Sequence, residues 1–114
     1  MKNAAAIAAL AALAQDNRLD VFRLLVEAGP DGLPAGHVAE RLKLSPSALT
    51  FHFDRLREAG LVTVRRDGRS MIYAAQFDTM NVLVGFLTEN CCGGRSCAPV
   101  SACKPARKAP KIPA

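Results

Sequence analysis

The first ninety residues of this chain contain no cysteine, and all four cysteines fall between positions 91 and 103. Cysteines that served as small apolar core residues would not be confined to one short segment. Their gathering on a C-terminal stretch that also contains glycine and proline favours a soft-ligand chelate. The sequence therefore predicts that this thiol cluster binds the ion or ligand to which the protein responds.

Long apolar runs are also missing, since no stretch reaches the ~18 residues that a membrane span needs. The alanine-rich stretch 4–14 has some likeness to a signal peptide, but Lys2 is the only charge before it and a helical pattern continues after it. We therefore expect a cytoplasmic protein that does not contact a membrane, in a compartment where thiols stay reduced.

Most of the chain has balanced charge, although the net charge of the whole sequence is +5. Residues 93–114 carry five basic and no acidic side chains, which leaves ten of each in residues 1–92. The length of 114 residues fits one domain. We expect a domain over 1–92 and a cysteine-containing, basic, proline-rich tail over 93–114. Because the domain has balanced charge, specific binding of a charged partner would depend on local charge placement.

Helical periodicity dominates the first sixty residues. Helices are expected over 4–14, from an N-cap at Asp16 to the turn 29–32, over 34–43, and over 46–59. In the fourth helix Ser45 is the expected N-cap, Pro46 the first helical residue and Gly60 the stop.

A β-hairpin and a fifth helix follow. Two β-prone runs, 61–66 and 69–75, flank Asp67-Gly68, a strong hairpin signal. Asp78 or Thr79 is the expected cap of the last helix, which Cys91 and Cys92 would end. The fold class is then mainly α (α+β), in the order α-α-α-α-β-β-α of a winged helix-turn-helix.

The fourth helix has the features of a DNA-reading helix, with 34–43 as its supporting partner. Its apolar residues Leu49, Phe53 and Leu56 share one face and should anchor it in the core. An amphipathic helix of any small bundle could show this pattern. The hairpin, however, carries clustered arginines at its tip, which favour contact with phosphates or the minor groove. Their alternative role is to protect the edge of the sheet from aggregation. The candidate DNA contacts are Ser45, Ser47, Ala48, Thr50, Phe51, His52 and Arg55 of the helix, and Arg65, Arg66 and Arg69 of the hairpin.

Three stretches resemble the ArsR/SmtB family of metal-responsive winged-helix regulators: LAQDNRL at 13–19, VAERLKLSPSALTFHFDRLREAGLV at 38–62 and RRDGR at 65–69. The resemblance implies a homodimer joined through the first and last helices, bound to a palindromic operator as a repressor and released by an inducer. The alanine-rich first helix would suit close packing at that interface. His52 stands where the family often has a histidine, for which we expect a phosphate contact or a structural hydrogen bond rather than a metal ligand.

Two inducer sites common in this family are missing. The stretch 33–38 has no Cys-x-Cys, and 78–86 has no histidine. Cys91 and Cys92 with a third thiol instead resemble the C-terminal sites of arsenite-responsive members. Trivalent arsenic, or antimony, takes three thiolates in a pyramid, and Gly93-Gly94 would let the chain return so that Cys97, or alternatively Cys103, completes it.

Other functions remain open at this point. A zinc or cadmium site of four cysteines is one alternative, although no pair has the Cys-x₂-Cys spacing. A redox-sensing thiol cluster is another. An enzyme with Cys91 as nucleophile and His52 as base is disfavoured, because no phosphate-binding glycine loop and no Cys-x-x-Cys motif are present. We expect no organic cofactor.

Overall fold

The computed structural model describes residues 1–94 of the chain. Five helices and one three-stranded antiparallel sheet follow one another in a winged helix-turn-helix arrangement, which confirms the predicted fold class. The elements are α1 (Asn3–Leu13), α2 (Asp16–Ala28), β1 (Leu33–Pro34), α3 (Ala35–Leu42), α4 (Pro46–Glu58), β2 (Val62–Asp67), β3 (Ser70–Ala75) and α5 (Phe77–Leu87).

Helix α4, the reader helix, has the ends that the sequence predicts for it. The Ser45 hydroxyl accepts a hydrogen bond from the Ala48 N–H at 3.2 Å, and Pro46 is the first helical residue. At the other end Gly60 has φ +77°, and the Leu61 N–H donates to the Leu56 carbonyl at 2.9 Å. This reversal ends the helix and leads the chain into the hairpin.

Two other predicted caps were wrong. Helix α2 is capped by Gln15, whose side chain accepts from the Arg18 N–H at 2.9 Å, while Asp16 is already helical. Helix α5 begins at Phe77, one residue before Asp78, and has no side-chain cap. In both helices the predicted capping residue is itself helical, so each helix begins earlier in the chain than expected.

Helix α1 turns its small side chains inward. Ala6, Ala9 and Ala12 are buried, whereas Ile7 is 64% exposed and Leu10 is also exposed. These three alanines allow α1 to pack closely within the domain, whereas Ala4, Ala5, Ala8 and Ala11 are exposed, so the close packing expected between subunits stays a prediction. The larger apolar side chains form the outer face of the helix.

The β2–β3 hairpin, the wing, is joined by a strand that the sequence did not predict. The pair Leu33 and Pro34 forms β1, which pairs with β3 opposite Tyr73 and Ile72, so that the sheet order is β1-β3-β2. At the wing tip, Asp67 pairs with Ser70 and belongs to β2. The turn is therefore Gly68-Arg69 rather than Asp67-Gly68, which places Arg69 at the tip.

The cysteines lie beyond α5 rather than at its end. Helix α5 stops at Leu87, and a 3₁₀ turn over Cys91–Gly94 follows after a short link. The predicted attachment of Cys91 and Cys92 to the last helical turn was therefore wrong. Of the tail expected over 93–114, only the first two residues are described, so the division at residue 92 stays a prediction and Cys97 and Cys103 lie outside the described residues.

The core lies where α2, α4 and the sheet meet. Its fully buried side chains are Val21, Leu25, Val38, Phe53, Leu56 and Leu61. Within residues 1–94, the helices are too short or too polar to cross a bilayer.

Candidate nucleic-acid interface and thiol site

The reader helix buries one face and presents the other. Leu49, Phe53 and Leu56 are buried as predicted, because their spacing of four and three places them on one side of the helix. On the opposite side the predicted contact residues Ser47, Thr50, Phe51 and Arg55 are exposed, while Ala48 is half-buried.

Two hydroxyl groups of the predicted set already have backbone partners. The Ser45 oxygen accepts the capping hydrogen bond, so its own proton remains available to a phosphate. Thr50 donates to the Pro46 carbonyl at 3.0 Å, so its oxygen is available as an acceptor. Ser47 has its hydroxyl on the exposed surface, which makes it the side chain best suited to donate to a base edge.

His52 does not belong to this exposed surface, which corrects the predicted DNA contact. Its side chain is 7% exposed, and within the described residues its Nδ1 atom has no hydrogen-bond partner. Burial, and secondarily the positive charge of Arg18, lower the pKa of His52 below its ordinary value of 6.5. The imidazole is therefore neutral at pH 7 and lies on the core side of the reader helix.

The three arginines of the wing differ in how they are held. Arg65 donates from Nη1 to the Asp31 carbonyl at 3.2 Å, which ties β2 to the loop before β1. Arg66 donates from Nε to the Gly68 carbonyl at 3.4 Å. Arg69, at the tip, is exposed and makes no hydrogen bond or ion pair with residues 1–94. It is the wing cation most available to a phosphate.

A ring stack that the sequence does not reveal connects the reader helix to the wing. Phe53 and Tyr73 lie with their ring centroids 3.6 Å apart and their planes 6° apart. In the loop before β1, Gly32 has φ +73°, and a Cβ atom there would meet the backbone carbonyl of Tyr73. The strand gives no clear signal for this contact, because Ile72 and Ala74 on the opposite face of β3 are buried as well; how the sheet meets α4 decides the partner of Tyr73.

The thiols form a compact pair. The Sγ atoms of Cys91 and Cys92 lie 3.6 Å apart, and both residues are exposed. The backbone turns sharply here, since Cys92, Gly93 and Gly94 all have positive φ. The return of the chain that would bring a third thiol to this pair involves residues outside the described range and stays a prediction. Residues 1–94 contain no group of three His, Cys, Asp or Glu side chains able to hold a metal ion.

The thiol turn is hydrogen-bonded to the last turn of α5. The Cys91 N–H donates to the Thr88 carbonyl at 3.0 Å, and the Thr88 N–H donates to the Val84 carbonyl at 3.1 Å. The Thr88 hydroxyl also donates to the Val84 carbonyl at 2.9 Å. A change at the thiols can therefore reach α5 through the backbone.

The two terminal helices carry exposed apolar side chains, which we call the α1/α5 face. Its members are the exposed apolar residues Ile7 and Leu10 of α1 and Val84 and Leu87 of α5. Each pair is three residues apart and so shares one side of its helix. Helices α1 and α5 also contact each other. Such a surface is typical of a protein–protein interface.

Comparison with known proteins gives consistent results. A sequence profile described as a helix-turn-helix domain matches residues 13–65. The chain is 36% identical over 77 residues to the uncharacterised HTH-type transcriptional regulator YceK of Bacillus subtilis, an alignment that covers 67% of this chain and 76% of YceK. It is 32% identical over 87 residues to the transcriptional activator HlyU of Vibrio cholerae, with 75% and 78% of the two chains covered.

Solved structures agree with these relatives. An ArsR-like transcriptional regulator from Rhodococcus sp. RHA1 superposes with a TM-score of 0.66 at 28% identity, over 74% of this chain and 76% of that one. A protein described as a "possible transcriptional regulator for arsenical resistance" superposes with a TM-score of 0.60 at 29% identity, over 68% and 78%.

Proposed function

The chain belongs to the ArsR/SmtB family of winged-helix transcriptional regulators, and from that premise we propose that it is a repressor released from DNA by trivalent arsenic. In this proposal a homodimer binds a palindromic operator. Arsenite, or antimonite, then binds C-terminal cysteine thiolates and lowers the affinity for DNA. The observation that carries the choice of inducer is the pair of thiol sulfurs 3.6 Å apart next to α5.

The dimer is proposed from the α1/α5 face. Four aliphatic side chains are exposed on two helices that contact each other, which a second copy of the chain would cover. A two-fold dimer presents two reader helices and two wings to the DNA. Its operator would then have two half-sites ~34 Å apart, one helical turn of the duplex.

DNA binding is proposed through two kinds of contact. The exposed face of the reader helix offers small and hydroxyl-bearing residues at its N-terminal end, where the backbone can approach base edges closely. The wing offers Arg69 for phosphate contact. The domain as a whole has balanced charge, so affinity should depend on these local placements rather than on a basic surface.

The inducer site is proposed on chemical grounds. Trivalent arsenic is thiophilic, and two neighbouring cysteines whose sulfurs already lie 3.6 Å apart can both bind one ion with little rearrangement. Positive φ at Gly93 and Gly94 turns the chain immediately afterwards. We assign the third thiolate to Cys97, with Cys103 as the alternative.

Release would follow from strain on α5. Chelation fixes the thiol turn, whose backbone is bonded through Thr88 to the last turn of α5. That turn carries Leu87 of the α1/α5 face, so the angle between subunits, and with it the separation of the two reader helices, changes. By linkage, arsenite weakens DNA binding by the same factor by which DNA weakens arsenite binding.

The test uses a fluorescent operator duplex and fluorescence anisotropy, with a phosphine reductant that carries no thiol. We expect the parent protein to release the operator as arsenite is added. Cys91→Ser and Cys92→Ser should bind the operator like the parent but no longer release it, because a hydroxyl is a poor ligand for a soft ion.

Cys97→Ser and Cys103→Ser serve as each other's matched control. With Cys97 as third ligand, only Cys97→Ser abolishes release, and the reverse pattern moves the site to Cys103. Normal release by all four single variants would refute the three-thiolate site.

A redox sensor of the same fold is the second candidate, and the same sulfur pair favours it. Two thiols this close can be oxidised to a disulfide: one hydrogen peroxide accepts two electrons and both thiol protons, its O–O bond breaks, the S–S bond forms and two waters are released. Peroxide should then release DNA from the parent in the absence of arsenite, and the phosphine should restore binding. Zinc and cadmium titrations in the same assay test the remaining alternative, a tetrahedral site.

A further inference from the structure

Phe51 is unusual within the reader helix. The other large apolar side chains of this helix, Leu49, Phe53 and Leu56, are buried, whereas Phe51 is 52% exposed on the opposite face. It shares that face with Ser47, one turn earlier, and Arg55, one turn later. An aromatic ring therefore stands in the middle of the surface proposed to enter the major groove.

The ring is held in place by its neighbours. The guanidinium carbon of Arg55 lies 5.2 Å from the centroid of the Phe51 ring, within the range of a cation–π contact. Arg55 is itself held by Glu58, with Nη2 and Oε2 3.3 Å apart. The His52 ring meets Phe51 edge to face at 5.7 Å. One side of the ring is thus occupied by protein, and the remainder stays exposed.

A phenylalanine ring can distinguish bases only through apolar contacts. It has no hydrogen-bond donor or acceptor, so it cannot follow the donor and acceptor pattern of the groove. The apolar group that the major groove presents is the 5-methyl group of thymine. We propose that Phe51 is a specificity-determining residue that selects thymine at one position of each half-site through this methyl group.

Arg55 takes a supporting part in this inference, which rests on the DNA binding proposed above. Because its guanidinium is engaged by both Phe51 and Glu58, Arg55 acts as a positioning residue for the ring rather than as a reader of guanine. The Phe51 ring is therefore already oriented in the free protein, which limits the conformational entropy lost when it contacts DNA.

The test removes single methyl groups from the DNA. An operator is first selected from a pool of random duplexes, and each thymine in it is then replaced by deoxyuridine, which lacks only the methyl group. The dissociation constant is measured at one fixed salt concentration. At one position per half-site, deoxyuridine should weaken binding by the parent about fourfold, the equivalent of ~0.8 kcal/mol for one buried methyl group.

Variants of the protein connect that position to the ring. Phe51→Ala should bind thymine and deoxyuridine operators equally well, while its affinity for random duplex stays at the parent value. Arg55→Gln should reduce the fourfold preference without abolishing it. Arg57→Gln is the matched control for Arg55→Gln, because Arg57 is exposed on the same helix but pairs with Asp54 rather than with Phe51, and it should keep the full preference. Thermal melting checks that each variant is folded.

Three results would overturn the inference. The first is a parent protein indifferent to deoxyuridine at every position of a selected operator, which would leave DNA binding intact but remove the methyl contact. The second is a Phe51→Ala variant that retains the preference. The third is loss of the dimer in Phe51→Ala by sedimentation, which would assign the ring to a protein contact. If selection yields no preferred duplex, the proposed function itself fails.

Discussion

Replacing Tyr73 with alanine removes the ring that stacks on Phe53 and so separates the wing from the reader helix. Truncation of a fully buried aromatic residue costs ~3–5 kcal/mol. Tyr73 is only half-buried, but its partner Phe53 is 1% exposed, and the rings lie nearly parallel at 3.6 Å. We therefore expect a loss of about 2 kcal/mol in the free energy of unfolding.

Urea unfolding measures this loss, at one fixed protein concentration because a dimer's stability depends on it. The midpoint should fall while the denaturant slope stays at the parent value. Tyr73→Phe keeps the ring and should remain within ~0.5 kcal/mol of the parent, as should Met71→Ala, an exposed neighbour in the same strand.

A second measurement asks whether the stack orients the wing. With Tyr73→Ala the wing should lose its fixed angle to α4, so that affinity for operator and for random duplex falls together. The reasoning is refuted if Tyr73→Ala costs less than ~0.5 kcal/mol, or if Tyr73→Phe costs as much as alanine does. In either case the ring contact would not be what joins the two elements.

Three further predictions concern other parts of the domain. Gly32→Ala should destabilise the protein by ~2 kcal/mol or more, because φ is +73° and the new Cβ meets the Tyr73 carbonyl. Gly68→Ala is the control that measures the backbone strain alone, because Gly68 has φ +67° but no atoms near its Cβ position. Equal decreases in urea stability for the two variants would contradict a steric clash at Gly32. Burial lowers the pKa of His52 in the folded state, so its contribution to stability should be complete above its ordinary pKa of 6.5 and should decline below that value. Between about pH 7.5 and about pH 5.5, His52→Gln should therefore lose less stability than the parent protein does. Identical pH slopes for the two proteins would argue against a buried neutral imidazole. Arg69→Ala should weaken binding to operator and to random DNA alike, and it should lower the slope of log affinity against log salt concentration by ~0.9, the value for one neutralised phosphate. Arg65→Ala should change this slope less, because Arg65 already donates to the Asp31 carbonyl. A larger slope change for Arg65→Ala would reverse the assignment.

Local patterns in the chain were sufficient for much of this fold. The burial of Leu49, Phe53 and Leu56 follows from helical spacing, because residues three and four apart share a face wherever the helix is placed. Ser45 and Gly60 mark the ends of the reader helix because capping depends on groups within a few residues. The exposure of Ser47, Thr50 and the wing arginines, and the pairing of Cys91 with Cys92, likewise follow from neighbours in sequence.

Other features depend on contacts between distant segments. A two-residue strand such as β1 has too little sequence to be recognised, and it exists because β3 supplies its hydrogen-bond partners some forty residues later. In α1, alanines and larger aliphatic residues are all apolar, so only the close packing against α2 and α4 decides that the side facing inward is the one with Ala6, Ala9 and Ala12.

The stack of Phe53 on Tyr73 likewise depends on how the sheet meets α4. The burial of His52, in contrast, follows from helical spacing, because it lies three residues after Leu49 and four before Leu56; the polarity of histidine is what favoured an exposed position in the prediction. The sequence by itself determined which elements form and which chemical groups they carry, since propensity, capping and periodicity act over a few residues. Only the tertiary structure decided which of those groups meet, because burial and ring contact require segments far apart in the chain to share one space.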